Sequence, residues 1–156
     1  MKKTVTILGY VFLALIVLVT FAFGALYLYG KKLDKESKAY ADAAVLAIAT
    51  DWNVAELKKR ASREFDEAVD YEELADYFEE LSQLGELVEY QGSSGESTIT
   101  LSLRYGHEIT ADYAGTVEFE DGSAEMRLVL IKLDGQWQVL DFRVMPQTFT
   151  DDKNIV

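Results

Sequence analysis

Val5 to Tyr29 is a run of 25 residues without a charged side chain, and no other stretch restricts the folding of this chain as much. As a helix rising about 1.5 Å per residue it is roughly 37 Å long, more than a hydrocarbon core needs. The expectation is a transmembrane anchor over residues 1–30. The rival reading, a cleaved signal peptide led by Lys2 and Lys3, meets a long apolar run and only a marginal cleavage site at Ala22-Phe-Gly24. Tyr10, Tyr27 and Tyr29 suit the interfaces, and Thr20 and Gly24 have a small-xxx-small spacing. Lys31, Lys32, Lys35 and Lys38 follow the span and favour a cytoplasmic domain by charge. The short Met-Lys-Lys tail has the look of an exported anchor, and the expectation is a periplasmic domain on a bacterial inner membrane.

Beyond a linker at 31–36, residues 37–147 read as one α+β domain, followed by a flexible tail at 148–156. The sheet is legible from Thr98 to Val144. Asp121-Gly122-Ser123 and Asp134-Gly135 bracket Ala124 to Leu133 as the middle of three strands. Before it, Ile109, Ala111, Tyr113, Gly115, Val117 and Phe119 share one face at a period of two. After it, Leu140, Phe142 and Val144 alternate with Asp141 and Arg143, whereas Trp137 and Val139 place apolar bulk on the second face. The expectation is a sheet covered or curled on both sides, with a bulge at Gly115. Ile99 to Leu103 gives a fourth strand, joined by a turn at Tyr105-Gly-His-Glu108, and Leu87 to Gln91 a fifth.

Three helices should pack on this sheet. Ala41, Ala44, Val45, Ile48, Ala49 and Trp52 recur at helical spacing. Asn53-Val-Ala-Glu56 has the spacing of a reciprocal capping box for a short helix to about Ala61, and Asp70-Tyr-Glu-Glu73 repeats it. The third helix carries a Tyr71, Leu74, Phe78 and Leu81 stripe and ends near Gly85. Gly92-Ser-Ser-Gly95 reads as a flexible turn into the sheet.

Net charge is −12, and past residue 30 the chain holds 13 basic against 27 acidic side chains. Such a surface repels nucleic acid and anionic lipid. Zero cysteines remove disulfides, thiol catalysis and Cys-ligated zinc. His107, the only histidine, reads as an exposed turn residue. From Glu64 to Glu96 there are 12 acidic residues and no basic one. Glu72, Glu73, Asp76, Glu79 and Glu80 fall opposite the apolar stripe of the third helix, either as a solvated face or as a docking face for a basic partner.

The order anchor, three helices, curled antiparallel sheet resembles the cystatin-like α+β cone shared by relatives of nuclear transport factor two and ketosteroid isomerase. Asp51-Trp-Asn-Val-Ala-Glu-Leu-Lys-Lys-Arg-Ala-Ser62, Leu84-Gly-Glu-Leu87, Tyr90-Gln-Gly92, Thr110-Ala-Asp-Tyr113 and Gly135-Gln-Trp-Gln-Val-Leu-Asp-Phe-Arg-Val144 resemble a group of uncharacterised bacterial membrane-anchored proteins. That resemblance implies a fold and a location and no activity.

An isomerase-like mechanism would need a carboxylate base beside a tyrosine donor inside the cone. Asp112, Asp141, Tyr105 and Tyr113 are the sheet residues of suitable type, and pairing of Asp112 or Asp141 with Arg104, Arg127 or Arg143 is the plainer use of the carboxylates. The leading expectation is a non-enzymatic interaction or assembly module, accessory to a larger envelope complex, with no catalytic, cofactor or metal residues. Its partner would be a membrane protein or a second copy. Binding of a lipid or apolar ligand in the cone comes next, and an isomerase- or dehydratase-type enzyme third.

Overall fold

The computed structural model describes residues 2–102 and 106–148, with side chains for 9–100 and 108–147. The elements are helices α1 (Lys2–Ala49), α2 (Val54–Arg60), α3 (Arg63–Ala68) and α4 (Tyr71–Leu81), a 3-10 turn (Ser82–Leu84), and strands β1 (Leu87–Tyr90), β2 (Ser94–Ser102), β3 (Gly106–Phe119), β4 (Gly122–Leu133) and β5 (Gln136–Thr148). By contacts the chain divides into two compact units after Lys35.

In the first unit, α1 is long and apolar enough to cross a membrane, with a mean hydropathy of 2.6 in its most apolar window and no residue of that window buried. Thr20 donates to the Ile16 carbonyl at 2.8 Å, so its hydroxyl is satisfied within the helix. The segment at 31–36, read from sequence as a linker, is helical.

The second unit is a five-stranded antiparallel sheet with helices on one face. β3, β4 and β5 pair in order, while β1 and β2 both pair with β3 along its other edge, one after the other. Tyr113, Val117, Met126, Leu128, Leu130 and Val139 point to one face and are almost wholly buried. Against them α1 turns the buried stripe Ser37, Ala41, Ala44, Val45, Ile48 and Ala49, whose small residues permit close approach. Each large apolar side chain removed from water here contributes about 1.5–3 kcal/mol.

The expected place of Trp137 and Val139 on the second face is corrected by one extra residue, although Val129 and Ile131 do bring apolar side chains to that face. Val129 pairs with Asp141 and Leu130 with Val139, so Leu140 is inserted as a bulge in β5. The insertion shifts the alternation by one, which returns Trp137 and Val139 to the same face as Phe142 and Val144. The bulge expected at Gly115 is absent from the regular β3–β4 register. Gly115 is instead a point of close approach, where a Cβ would lie 3.1 Å from the Gly92 carbonyl oxygen and from the Ser93 Cα.

The turn that follows α1 contains Trp52, which adopts a left-handed φ of 46° while Asn53 N–H reaches back to the Ile48 carbonyl at 3.0 Å. A non-glycine residue there costs about 1–2 kcal/mol. Burial offsets it: the Trp52 ring stacks on Phe119 at 5.2 Å and meets Phe78 edge-on at 5.6 Å.

Asn53 accepts from Ala55 and Glu56 N–H as a cap, but Glu56 turns forward to Arg60 instead of completing the box. α3 is a fourth helix that sequence reading missed, because six residues with a Ser62 cap show no period. Ser62 N–H also donates to the Val139 carbonyl at 2.8 Å, and Ala61 bridges Val139, so this joint covers part of the β5 edge.

Further corrections concern loops. Ser94 and Gly95 already belong to β2, and β5 continues past Pro146 to Thr148. His107 lies within β3 rather than in a turn, its backbone opposite Leu101. Arg104, Tyr105 and the tail at 149–156 lie outside the described residues.

Candidate functional site

α4 forms because Asp70 accepts from Glu72 and Glu73 N–H at 2.9 and 3.3 Å, while its alternating three- and four-residue apolar spacing seats Phe78 and Leu81 in the core. Two acids in the first turn also suit the positive end of the helix dipole. That geometry turns Glu72, Glu73, Asp76, Glu79 and Glu80 outward, and all five are exposed. The helix carries these five carboxylates and no basic residue.

What sequence reading missed is the apolar ground between them. Tyr77, half-buried, donates its hydroxyl to the Val144 carbonyl at 3.1 Å, which ties α4 to β5. Tyr77 lines a recess of about 330 Å³ with Val69, Asp70, Glu73 and Leu74. It also lines one of about 340 Å³, with Glu80, Leu81, Gln83, Leu84, Asp121 and Pro146. Burial raises the Tyr77 hydroxyl above the ordinary tyrosine range, aided by the nearby Glu80 charge, so it stays a neutral donor. Tyr71, at the start of the helix, is pushed up to about 12 by burial and by donating to Asp66 at 2.9 Å. Lys58 lies over the Tyr71 ring at 4.5 Å, a cation on the rim of an otherwise acidic surface.

Of the sheet residues considered for acid–base chemistry, the described ones, Asp112, Asp141 and Tyr113, do not converge. Tyr113 faces the helices, buried, with its oxygen 2.9 Å from Ser37 Oγ. Asp112 and Asp141 face the opposite side. Asp112 takes a two-point contact from Arg127, with Nε at 2.9 Å from Oδ1, and the hydrogen bond lowers its pKa. Asp141 accepts from Arg143 Nε at 2.9 Å. Among the described residues no group of three or more His, Asp or Glu side chains is placed to hold a metal ion.

A second polar centre joins α1 to the sheet edge. Asp42 Oδ1 accepts from Tyr90 Oη at 2.8 Å, Ser93 N–H at 2.8 Å and Ser93 Oγ at 2.6 Å, while Lys38 Nζ reaches Oδ2 at 2.7 Å. Burial works to raise this carboxyl, but Lys38, both Ser93 donors and Tyr90 outweigh it and hold the pKa at about 2. Gly92, with a left-handed φ of 94°, lets the chain break between β1 and β2 beneath this carboxylate. In the sequence Asp42 showed only a Lys38 four residues before it, the mark of a surface ion pair. Its sheet partners are 48 and 51 residues away.

No protein-family model, curated protein or solved structure matches this chain.

Proposed function

We propose that this chain is a membrane-anchored, non-enzymatic interaction module whose α4 surface docks a basic segment of a larger envelope complex. The observation that carries the reading is the combination at α4: five exposed carboxylates on the helix, of which Glu73 and Glu80, with Asp70 and Asp121, line two recesses that share Tyr77. Carboxylates alone make a solvated face, and recesses alone are common. Together they offer apolar anchor points inside an acidic rim, the arrangement that recognises a partner carrying lysine or arginine beside apolar side chains.

The membrane-competent helix supports an anchored location, and we place the domain on the periplasmic side of a bacterial inner membrane. The α1 stripe laid on an antiparallel sheet supports a cystatin-like cone. A ligand inside that cone is a weaker reading, since the facing side chains of α1, β3 and β4 fill the layer between helix and sheet. An isomerase-like reaction is weaker again, with Tyr113 and the two aspartates on opposite faces.

The test is native mass spectrometry of full-length protein extracted gently from its own membrane, with and without charge reversal of Glu72, Glu73, Asp76, Glu79 and Glu80 to lysine. A stoichiometric partner recovered with the parent chain and lost with the variant supports the assignment. Recovery that is unchanged in the variant removes α4 as the docking surface. A protomer that carries only a lipid-sized mass replaces docking with ligand binding.

A further inference from the structure

The two recesses that share Tyr77 are built to one plan. α4 gives the first Glu73 and Leu74 and gives the second Glu80 and Leu81, the same pair of residues seven positions on. Each recess takes a further carboxylate from outside the helix, Asp70 from the cap before it and Asp121 from the turn between β3 and β4. Each also takes apolar lining from the flanking chain, Val69 in the first, Leu84 and Pro146 in the second. Their volumes match, at about 330 and 340 Å³. Tyr77 stands between the two pairs along the helix, four residues after Glu73 and three before Glu80, and its bond to the Val144 carbonyl holds the ring in place. Glu73 and Glu80 are exposed, and among the described residues no ion pair engages Asp70, Glu73, Glu80 or Asp121.

We propose that the basic segment docked on α4 is itself a helix, and that it presents two arginine side chains seven residues apart, one to each recess. The inference rests on the reading of α4 as a docking face and names what that face accepts. Seven residues of helix rise about 10.5 Å and make almost two full turns, so both Glu-Leu pairs look out from one face of α4. A partner helix lying along α4 repeats that spacing with its residues i and i+7. An extended segment does not, because its side chains return to one face about every 6.7 Å, and steps of about 6.7 and 13 Å both miss the second recess. Two carboxylates in each recess set the sign of the occupant. Arginine suits them on three counts: its methylene stem covers the leucine, its planar fork bonds two carboxylates at once, and its flat face stacks on the tyrosine ring. Lysine offers a point charge with no plane to match. The partner's residue at i+3 or i+4 meets Tyr77, whose hydroxyl is already engaged by Val144, so an apolar side chain belongs there.

Three synthetic peptides of one composition test the spacing against the full-length protein in detergent. Each is an alanine-rich helix of about 20 residues with one leucine and two arginines, the arginines placed at i and i+7, at i and i+5, or at i and i+14. The second placement turns one arginine about 140° away, and the third doubles the span. Equal charge gives all three the same non-specific attraction to an acidic surface, so a difference in affinity reads geometry. The expected result, by fluorescence anisotropy at physiological salt, is binding on the order of tenfold tighter for i and i+7 than for either other peptide. Equal affinities, or no binding by any of the three, overturn the inference. Glu73→Gln and Glu80→Gln each remove the α4 charge from one recess and should each bring the i and i+7 peptide down to the level of the others; an unchanged affinity overturns the assignment of that recess. Lysine in place of both arginines should weaken the same peptide several-fold, and equal binding removes arginine as the preferred side chain. If charge reversal of α4 abolishes partner recovery while the three peptides bind alike, the docking face stands and the helical spacing falls, so the two readings fail separately.

Discussion

The two faces of the sheet use polar groups in opposite ways. On the helix-covered face, polar side chains are few, and hydrogen bonds there link distant parts of the chain, Tyr113 to Ser37 and Tyr90 with Ser93 to Asp42, whereas the buried Nε1 groups of Trp52 and Trp137 have no hydrogen-bond partner among the described residues. On the open face, polar side chains are many and bond to neighbours within the sheet, as in Asp112 with Arg127 and Asp141 with Arg143. Arg127 and Arg143 sit directly opposite each other, and the flanking aspartates neutralise that repulsion. The covered face therefore holds the fold together, while the ion pairs of the open face lie at the surface. A buried bond replaces solvation that folding has removed, whereas an exposed ion pair competes with water and salt.

The comparison is broken most directly at Leu128, fully buried and flanked on its neighbouring strands by Tyr113 and Phe142. Leu128→Ala should cost about 2–5 kcal/mol through lost burial and the cavity left behind. Denaturant unfolding of the full-length protein in detergent reads this, and a loss below about 1 kcal/mol would mean that the layer is loosely packed. Asp42→Asn comes next, at about 1–3 kcal/mol, because it leaves Lys38, Tyr90 and Ser93 with a neutral, half-donating partner.

The same residue gives the domain a pH signature. Its folded pKa lies below the ordinary 3.8, at about 2. A depressed carboxylate contributes stability above its unfolded pKa and loses it as pH falls through the folded value. About 2 kcal/mol should therefore be present at pH 5 and disappear between about pH 4 and pH 2. The parent should show that loss and the Asp42→Asn variant should not, and parallel acid profiles for the two would reject the linkage. The smallest effect belongs to the open face. Arg127→Gln should leave the unfolding midpoint within error, and a clear destabilisation would show that the outer ion pairs hold the sheet after all.

Much of the fold could be read from residue order. The Asp-Gly turns placed β4, and the period of two in β3 chose its buried side correctly, because alternation is a local property of an extended chain. The helix caps at Asn53 and Asp70 were legible for the same reason. Failures came where one residue changed the phase or where an element was too short to show a period. Leu140 moved Trp137 and Val139 to the covered face, and α3 was hidden in six residues. The acidic face of α4 was visible as composition, but the recess that Tyr77 shares with the following turn, Asp121 and Pro146 was not, since its walls come from separate parts of the chain.

By itself, then, the sequence determined a membrane-competent helix, an acidic cysteine-free domain and an antiparallel sheet with one apolar side. These follow from properties summed or alternated over neighbouring residues. Only the tertiary structure decided that Asp42 pins the break between β1 and β2, and that the Ala61–Ser62 joint covers part of the β5 edge at Val139. Each of those depends on groups brought together across tens of residues, where the energy of a contact is set by burial and geometry that no local pattern records.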